Sequence, residues 1–387
     1  VFTVPVNGAE LSPAEVEVID PEEAVDVTHI ALSGGIAPEK VKEIVDKLPA
    51  LQELDLSELS EALPEGAMAG KETLVTVILP GASVIEANTF EGCTNLTNVV
   101  VPECVNVIGA DAFKNCRSLK NLSFSGITGI GANAFNGCDR LTGIIFTAAR
   151  PDAAPARVRR SAGAANIDGY EDDAFAGLNP NCFVYLDEGV TAPDVANVNY
   201  IQVRQDASSE SGRVYEALGN IVISPENDFQ VVNAFSITEG NTISMEMPLN
   251  TTDSGDNGWK PLVLPFTPTM VTDTQGNEMT QYTRKAVSNS NGLYMTASFD
   301  AKGNLGLTEG IKANTPYLAA LFKNEGNASV RFVAGACEVP QTPDEISAEG
   351  AEYTLGATFS GRDVEAAGTY LLREDGSAFD EAVAQIE

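Results

Sequence analysis

The sequence predicts a mainly β protein in two parts: a solenoid of stacked coils with a parallel sheet and an N-terminal helical cap over residues 1–204, then an antiparallel, jelly-roll-like β-sandwich over residues 205–387. Three observations carry this expectation. One ten-residue phrase is written three times, as VIEANTFEGC at 84–93, VIGADAFKNC at 107–116 and GIGANAFNGC at 129–138, so that Phe90, Phe113 and Phe135 stand 23 and 22 residues apart. Between the phrases lie segments of the form L-x-x-apolar-x-apolar, beginning at Leu74, Leu96, Leu119 and Leu141. Past Tyr200 the period vanishes, and short β-rich segments alternate with clusters of Gly, Asn and Asp. A fixed period in the twenties marks a solenoid coil.

Taken in chain order, THIALSGG reads as a strand and PEKVKEIVDKL as an amphipathic helix, with Pro38 near its start and Val41, Ile44, Val45 and Leu48 on one face. This unit is the expected cap, because an end coil needs cover for an apolar face that interior coils bury against each other. The first rung is Leu51, Leu54 and Leu56, in register with Leu74, Val77 and Leu79, and three more rungs follow. Residues two apart on an extended chain share a face, so the last two apolar positions of each rung point into one core and the residue between them faces solvent. Leu54, Val77, Val99, Leu122 and Ile144 are thus expected on neighbouring parallel strands of one sheet. The far wall is closed by Ile85, Ile108 and Ile130 and by the aromatic ladder, with Met68 in the Phe position one coil earlier.

The fourth coil is interrupted. Phe135 to Phe175 is 40 residues, and ARPDAAPARVRRSAGAAN at 149–166, rich in Ala and Pro, accounts for the 18 in excess of a 22-residue period. Too little large apolar content lies in it for a fold of its own, so it is expected as a projecting loop. DDAFAG then resumes the phrase, and CFVYLDEG, with Val184 and Leu186, is the expected last rung. The polar stretch RQDASSESG at 204–212 reads as a linker, and the nine segments from NIVISP to GTYLLRED behind it read as sandwich strands.

The rung L-x-x-L-x-L followed by I-G-x-x-A-F-x-G-C resembles the treponemal-type, or BspA-like, leucine-rich repeat of surface and secreted proteins of anaerobic bacteria. The resemblance covers roughly residues 50–190, and departs from the pattern at Met68, at Thr89 and in the 18-residue insertion. It implies a right-handed leucine-rich-repeat solenoid. It also implies a non-enzymatic binding or adhesion module for host protein or glycan, extracellular or at the cell surface, with a lipid anchor on the precursor as one arrangement. GWKPLVLPF, IKANTPYLAAL and GTYLLREDGSAF are similar, more loosely, to the β-sandwich that accompanies such repeats.

Composition narrows the partners. Lys and Arg number 23 against 55 Asp and Glu, for a net charge of -32, so the average surface repels phosphate backbones and anionic headgroups, and nucleic acid is not an expected partner. No apolar run is long enough to span a bilayer, and a monomer is expected. Six cysteines are too few for a disulfide scaffold, and Cys93, Cys116 and Cys138 fall at one point of three coils as small buried fillers.

GIGANA at 129–134 satisfies G-x-G-x-x-A, but the repeat explains it, since VIEANT and VIGADA occupy the equivalent places and no β-α-β unit surrounds it. His29 is the sole histidine, and no nucleophile elbow, P-loop or H-E-x-x-H motif occurs. No catalytic, cofactor-binding or metal-ligating residue is therefore assigned, and no cofactor. Two features are candidates for ligand binding: Arg150, Arg157, Arg159 and Arg160, a basic cluster on an acidic chain, and Trp259 behind the loop TTDSGDN, placed to stack on a sugar. The alternative function is a carbohydrate-binding module or carbohydrate-active enzyme seated in the sandwich, its carboxylate pair invisible in sequence.

Overall fold

The computed structural model describes residues 9–11, 26–33, 36–148, 169–171, 173–195, 197–207, 212–249, 259–283, 293–299, 305–321, 328–343, 346–349, 354–357, 370–372 and 379–381. The chain divides into two compact units, Val1–Val214 and Tyr215–Glu387.

In the first unit the strands are β1 (Ala9–Leu11), β2 (His29–Leu32), β3 (Glu53–Asp55), β4 (Thr76–Ile78), β5 (Val84–Ile85), β6 (Asn98–Val100), β7 (Val107–Ile108), β8 (Asn121–Ser125), β9 (Gly129–Ile130), β10 (Gly143–Thr147), β11 (Gly169–Tyr170), β12 (Phe183–Leu186) and β13 (Asn199–Gln205), with helix α1 at Pro38–Lys47. One wall of the solenoid is the all-parallel sheet β1-β2-β3-β4-β6, and the other is the short parallel ladder β5-β7-β9-β11. Leu54, Val77 and Val99 pair in register as expected. Leu122 and Ile144 pair in the same way, but on a separate sheet that continues β8-β10-β12-β13. The expected single sheet is therefore broken between β6 and β8.

The ten-residue phrase owes its repetition to the demands of each position. Ile108 and Ile130 are fully inside, and Phe90, Phe113, Phe135 and Phe175 stack across successive coils with ring centroids 5.4, 5.9 and 5.9 Å apart. The last distance spans the insertion, so the coil resumes its stack as though the 18 residues were absent. A second ladder, Phe124 on Phe146 at 5.7 Å, fills the rung side. The corner between strand and aromatic needs a left-handed residue, and Asn88, Asp111 and Asn133 supply it at φ 55°, 54° and 51°. Asn and Asp tolerate that region better than other side chains with a Cβ.

Each cysteine of the phrase donates its thiol to a carbonyl one coil back: Cys93 to Met68 O at 3.1 Å, Cys116 to Phe90 O at 3.1 Å and Cys138 to Phe113 O at 3.0 Å. A buried position that must be small, apolar and still offer one weak donor suits Cys. Burial pushes these thiols up, Cys93 and Cys138 to about 12, so they are inert fillers, as expected.

The N-terminal cap is as the sequence anticipates, with Val41, Ile44, Val45 and Leu48 of α1 buried. What fastens it is Lys71 of the first coil, whose ammonium donates to Val45 O at 2.8 Å and Leu48 O at 2.5 Å, carbonyls that the helix end leaves without intrahelical partners. Burial lowers the Lys71 pKa, against the opposing charge of Asp46. At the other end β12 is not the last rung, because β13 pairs with it in parallel from Phe183↔Asn199 to Leu186↔Gln202. Gln202 there donates to Leu186 O and Asp187 O at 3.0 and 3.1 Å.

The second unit is built of mixed sheets. One runs in the order Ile221–Ile223, Ile243–Leu249, Ala328–Ala334, Met270–Asp273, and the other in the order Lys260–Leu262, Tyr317–Leu321, Leu293–Phe299, Thr280–Gln281, with Leu305–Leu307 paired to Leu293–Phe299. Two of these pairings are parallel, Ile221–Ile223 with Ile243–Leu249 and Thr280–Gln281 with Leu293–Phe299, which corrects the expectation of a purely antiparallel arrangement. Alternation within a strand fixes which face is buried but not the direction of its neighbour.

Candidate binding surface

The outward face of the solenoid sheet presents two rows at right angles to the strands. His29, Glu53, Thr76 and Asn98 form one, and Ala31, Asp55, Ile78 and Val100 the other, each in strict register. Their inward neighbours are all core, so the coil spacing of roughly 4.8 Å is imposed on the outward residues by packing they take no part in. Glu53, Asn98, Asn121 and Ser123 are exposed, and Val100 is 47% exposed although it is a large apolar residue. His29 Nε2 lies 3.2 Å from Glu53 Oε1 across the first pair of strands, and its Nδ1 lies 2.6 Å from Thr28 Oγ1. The outward face changes character along the solenoid, since Phe183, Tyr185 and Ile201 at its far end are 0% exposed.

At the break between β6 and β8 the coils separate on one side only. The two coils stay hydrogen-bonded along the phrase, with Asn88 N to Ala110 O at 2.9 Å, Phe90 N to Ala112 O at 2.8 Å and Gly92 N to Lys114 O at 2.8 Å. They also meet at both ends of the rung, where Ser118 N donates to Thr94 O at 3.1 Å and Thr128 N to Asn106 O at 2.7 Å. Between those two bonds β6 and β8 are the end strands of their sheets, with Cα atoms mostly more than 8 Å apart. A slot of about 390 Å³ opens here, lined by Val99, Val101, Ser123 and Phe124 and by the charged Glu103, Asp187 and Arg213. Its cause is in the sequence: Leu74 to Ser83 and Leu119 to Thr128 are nine residues each, whereas Leu96 to Asn106 is ten. One lip is a residue too long to follow its neighbour.

Of the candidates read from the sequence, Arg150, Arg157, Arg159 and Arg160 lie outside the described residues, as does the loop TTDSGDN. Trp259 is described and half-buried, directly before the strand Lys260–Leu262. The slot draws on none of them. Among the described residues no group of three His, Cys, Asp or Glu stands together as a metal site, and no helix is long and apolar enough to cross a membrane.

With this geometry in view, comparison with known proteins adds the following. Among solved structures, a leucine-rich repeat protein from Bacteroides ovatus ATCC 8483 is similar at 19% identity over 46% of this chain and 44% of that one, with a TM-score of 0.26. The T. pallidum leucine rich repeat protein is similar at 17% identity over 38% of this chain and 69% of that one, with a TM-score of 0.21. The match thus spans less than half the length of the Bacteroides protein. A comparison with curated proteins finds no match. A family model described as BspA type leucine rich repeat region matches residues 46–150 in six copies, so this part of the solenoid carries BspA-type leucine-rich repeats.

Proposed function

We propose that the protein is a non-enzymatic binding module, secreted or displayed on a bacterial surface, that recognises a host protein or glycan with the outward face of its solenoid sheet. The observation that carries this reading is the pair of registered outward rows, Glu53–Thr76–Asn98 and Asp55–Ile78–Val100, held at fixed spacing by a core to which they do not contribute. A rigid array of short polar side chains with one exposed apolar residue loses little conformational entropy when a partner docks, which is what a recognition surface needs. Nothing in the arrangement assembles a nucleophile with a base.

The test is a screen of the whole chain against matrix proteins and polysaccharides, repeated with Thr76→Arg/Asn98→Arg, a pair of changes on the outward face that leave the core intact. Binding at least tenfold weaker in the variant supports the reading. A ligand that binds both proteins equally overturns the assignment to this face. Removal of the protein from intact producing cells by added protease tests the proposed location.

A further inference from the structure

The slot between β6 and β8 has the dimensions and chemistry of a missing strand. Neighbouring strands in a sheet lie roughly 4.8 Å apart, and strands with one place between them roughly 9.6 Å apart. The separation beyond 8 Å across the slot belongs to the second case. In a parallel ladder the main-chain groups of successive residues point alternately to the two sides. Leu79 N donates to Val100 O, so Val100 turns its main chain toward β4, and Val99 and Val101 turn theirs into the slot. Thr142 N donates to Lys120 O on the far side of the other lip, which turns the main chain of Asn121 and Ser123 into the slot from β8. Two strand edges thus face each other across one strand's width. Edges of this kind are templates for a further strand, and native proteins ordinarily cover them.

We infer that this slot takes an extended segment of a partner protein, which pairs by its main chain with Val99 and Val101 on one side and with Asn121 and Ser123 on the other. The inference rests on the reading of the solenoid as a binding module and names the ligand class for one part of it. The segment alternates in character. Every second side chain lies inward against Val99 and Phe124, which are 7% and 1% exposed, and so is apolar; those between lie outward beside Val100 and Ser123. Its flanks are basic, because Glu103 and Asp187 line the slot against a single Arg213, on a chain of net charge -32. About three or four residues fit inside, at roughly 3.3 Å each along a lip the length of β6.

The experiment uses the full chain and an amidated peptide, Lys-Lys-Thr-Val-Thr-Val-Thr-Lys-Lys, beside a control with proline at both valines. Hydrogen exchange of the free protein comes first: the amides of Val99, Val101, Asn121 and Ser123 are expected to exchange quickly, and protection of them without peptide overturns the proposal, because a segment of the chain or a second copy then fills the slot. On addition of the alternating peptide these four amides gain protection and the control peptide gives none.

Ser123→Pro removes one slot-facing N–H that no neighbour uses, so the fold is retained and peptide binding falls by about tenfold. Deletion of Glu103 restores nine residues to the long lip, rejoins β6 to β8 and abolishes binding while raising the unfolding midpoint. Failure of the peptide to bind, or equal binding by both variants, overturns the proposal. Thr76→Arg/Asn98→Arg, which leaves the slot untouched, separates its failure from failure of the reading of the outward face.

Discussion

Replacing Gly131 by Ala tests whether close coil stacking sets the stability of the solenoid. A Cβ at Gly131 comes within 2.4 Å of Ala110 N and 2.8 Å of Ala110 Cα and Gly109 C, all main-chain atoms of the preceding coil. Ordinary contact lies near 3.5 Å, so the two coils must part by about 1 Å. The bonds that hold them at this point are Gly131 N to Ile108 O and Asp111 N to Ala132 O, both 2.8 Å, and such a shift carries them beyond hydrogen-bonding range. Two lost bonds at about 1 kcal/mol each, added to an overpacking cost of about 1–3 kcal/mol, give a destabilisation of about 3–4 kcal/mol. Gly81→Ala is the control, because its added Cβ meets only Leu59 O at 3.6 Å. It should stay within about 0.5 kcal/mol of the parent. Urea unfolding followed by far-ultraviolet circular dichroism measures both, and the Gly131 variant should lose about 1–2 M in midpoint. Equal midpoints for the two alanine variants would refute the idea that coil spacing is fixed by these glycines.

Three further outcomes are expected. Cys93 and Cys138 ionise near 9.0 when unfolded and only at about 12 in the fold, so the folded state holds more protons above pH 9 and stability falls from there to pH 12. Each thiol contributes a loss of about 1.4 kcal/mol by pH 10, and alkaline unfolding of Cys93→Ala/Cys138→Ala should show a shallower decline. Lys71→Met leaves the carbonyls of Val45 and Leu48 without their donor and should cost about 1–2 kcal/mol, seen first as faster amide exchange in α1. Phe113→Ala empties a place between Phe90 and Phe135 and should cost about 3–5 kcal/mol by urea titration, with no change expected at the slot peptide's binding site.

Much of the solenoid is legible in its sequence because the same physical demand recurs at the same place in each coil. An inward Ile, a left-handed Asn or Asp, an inward Phe and a thiol donor must each be met once per turn, and the repetition exposes them. The N-terminal helix is legible for a related reason, since its one apolar face and its early proline are local signals. The strand Asn199–Gln205 was not, because it joins the sheet without a leucine rung or a phrase before it, and only pairing with Phe183–Leu186 gives it a place. The parallel neighbours in the second unit are equally silent, as alternation in Ile221–Ile223 is the same whichever way Ile243–Leu249 runs beside it.

The break in the sheet belongs to neither class. Its signal was in the sequence all along, as ten residues from Leu96 to Asn106 against nine on either side, but the aromatic period of 23 and 22 residues conceals it. The extra residue at Pro102–Val105 is offset elsewhere in the coil, so Phe113 and the phrase around it return to register and the far wall never parts. A solenoid that stays closed along one wall while one lip is a residue too long must open along the other. The opening is then confined between the Thr94–Ser118 and Asn106–Thr128 bonds rather than spread along the stack. Local excess length in one coil is thus converted into a slot of defined width with main-chain donors and acceptors on both sides, without loss of the packing that makes the array rigid.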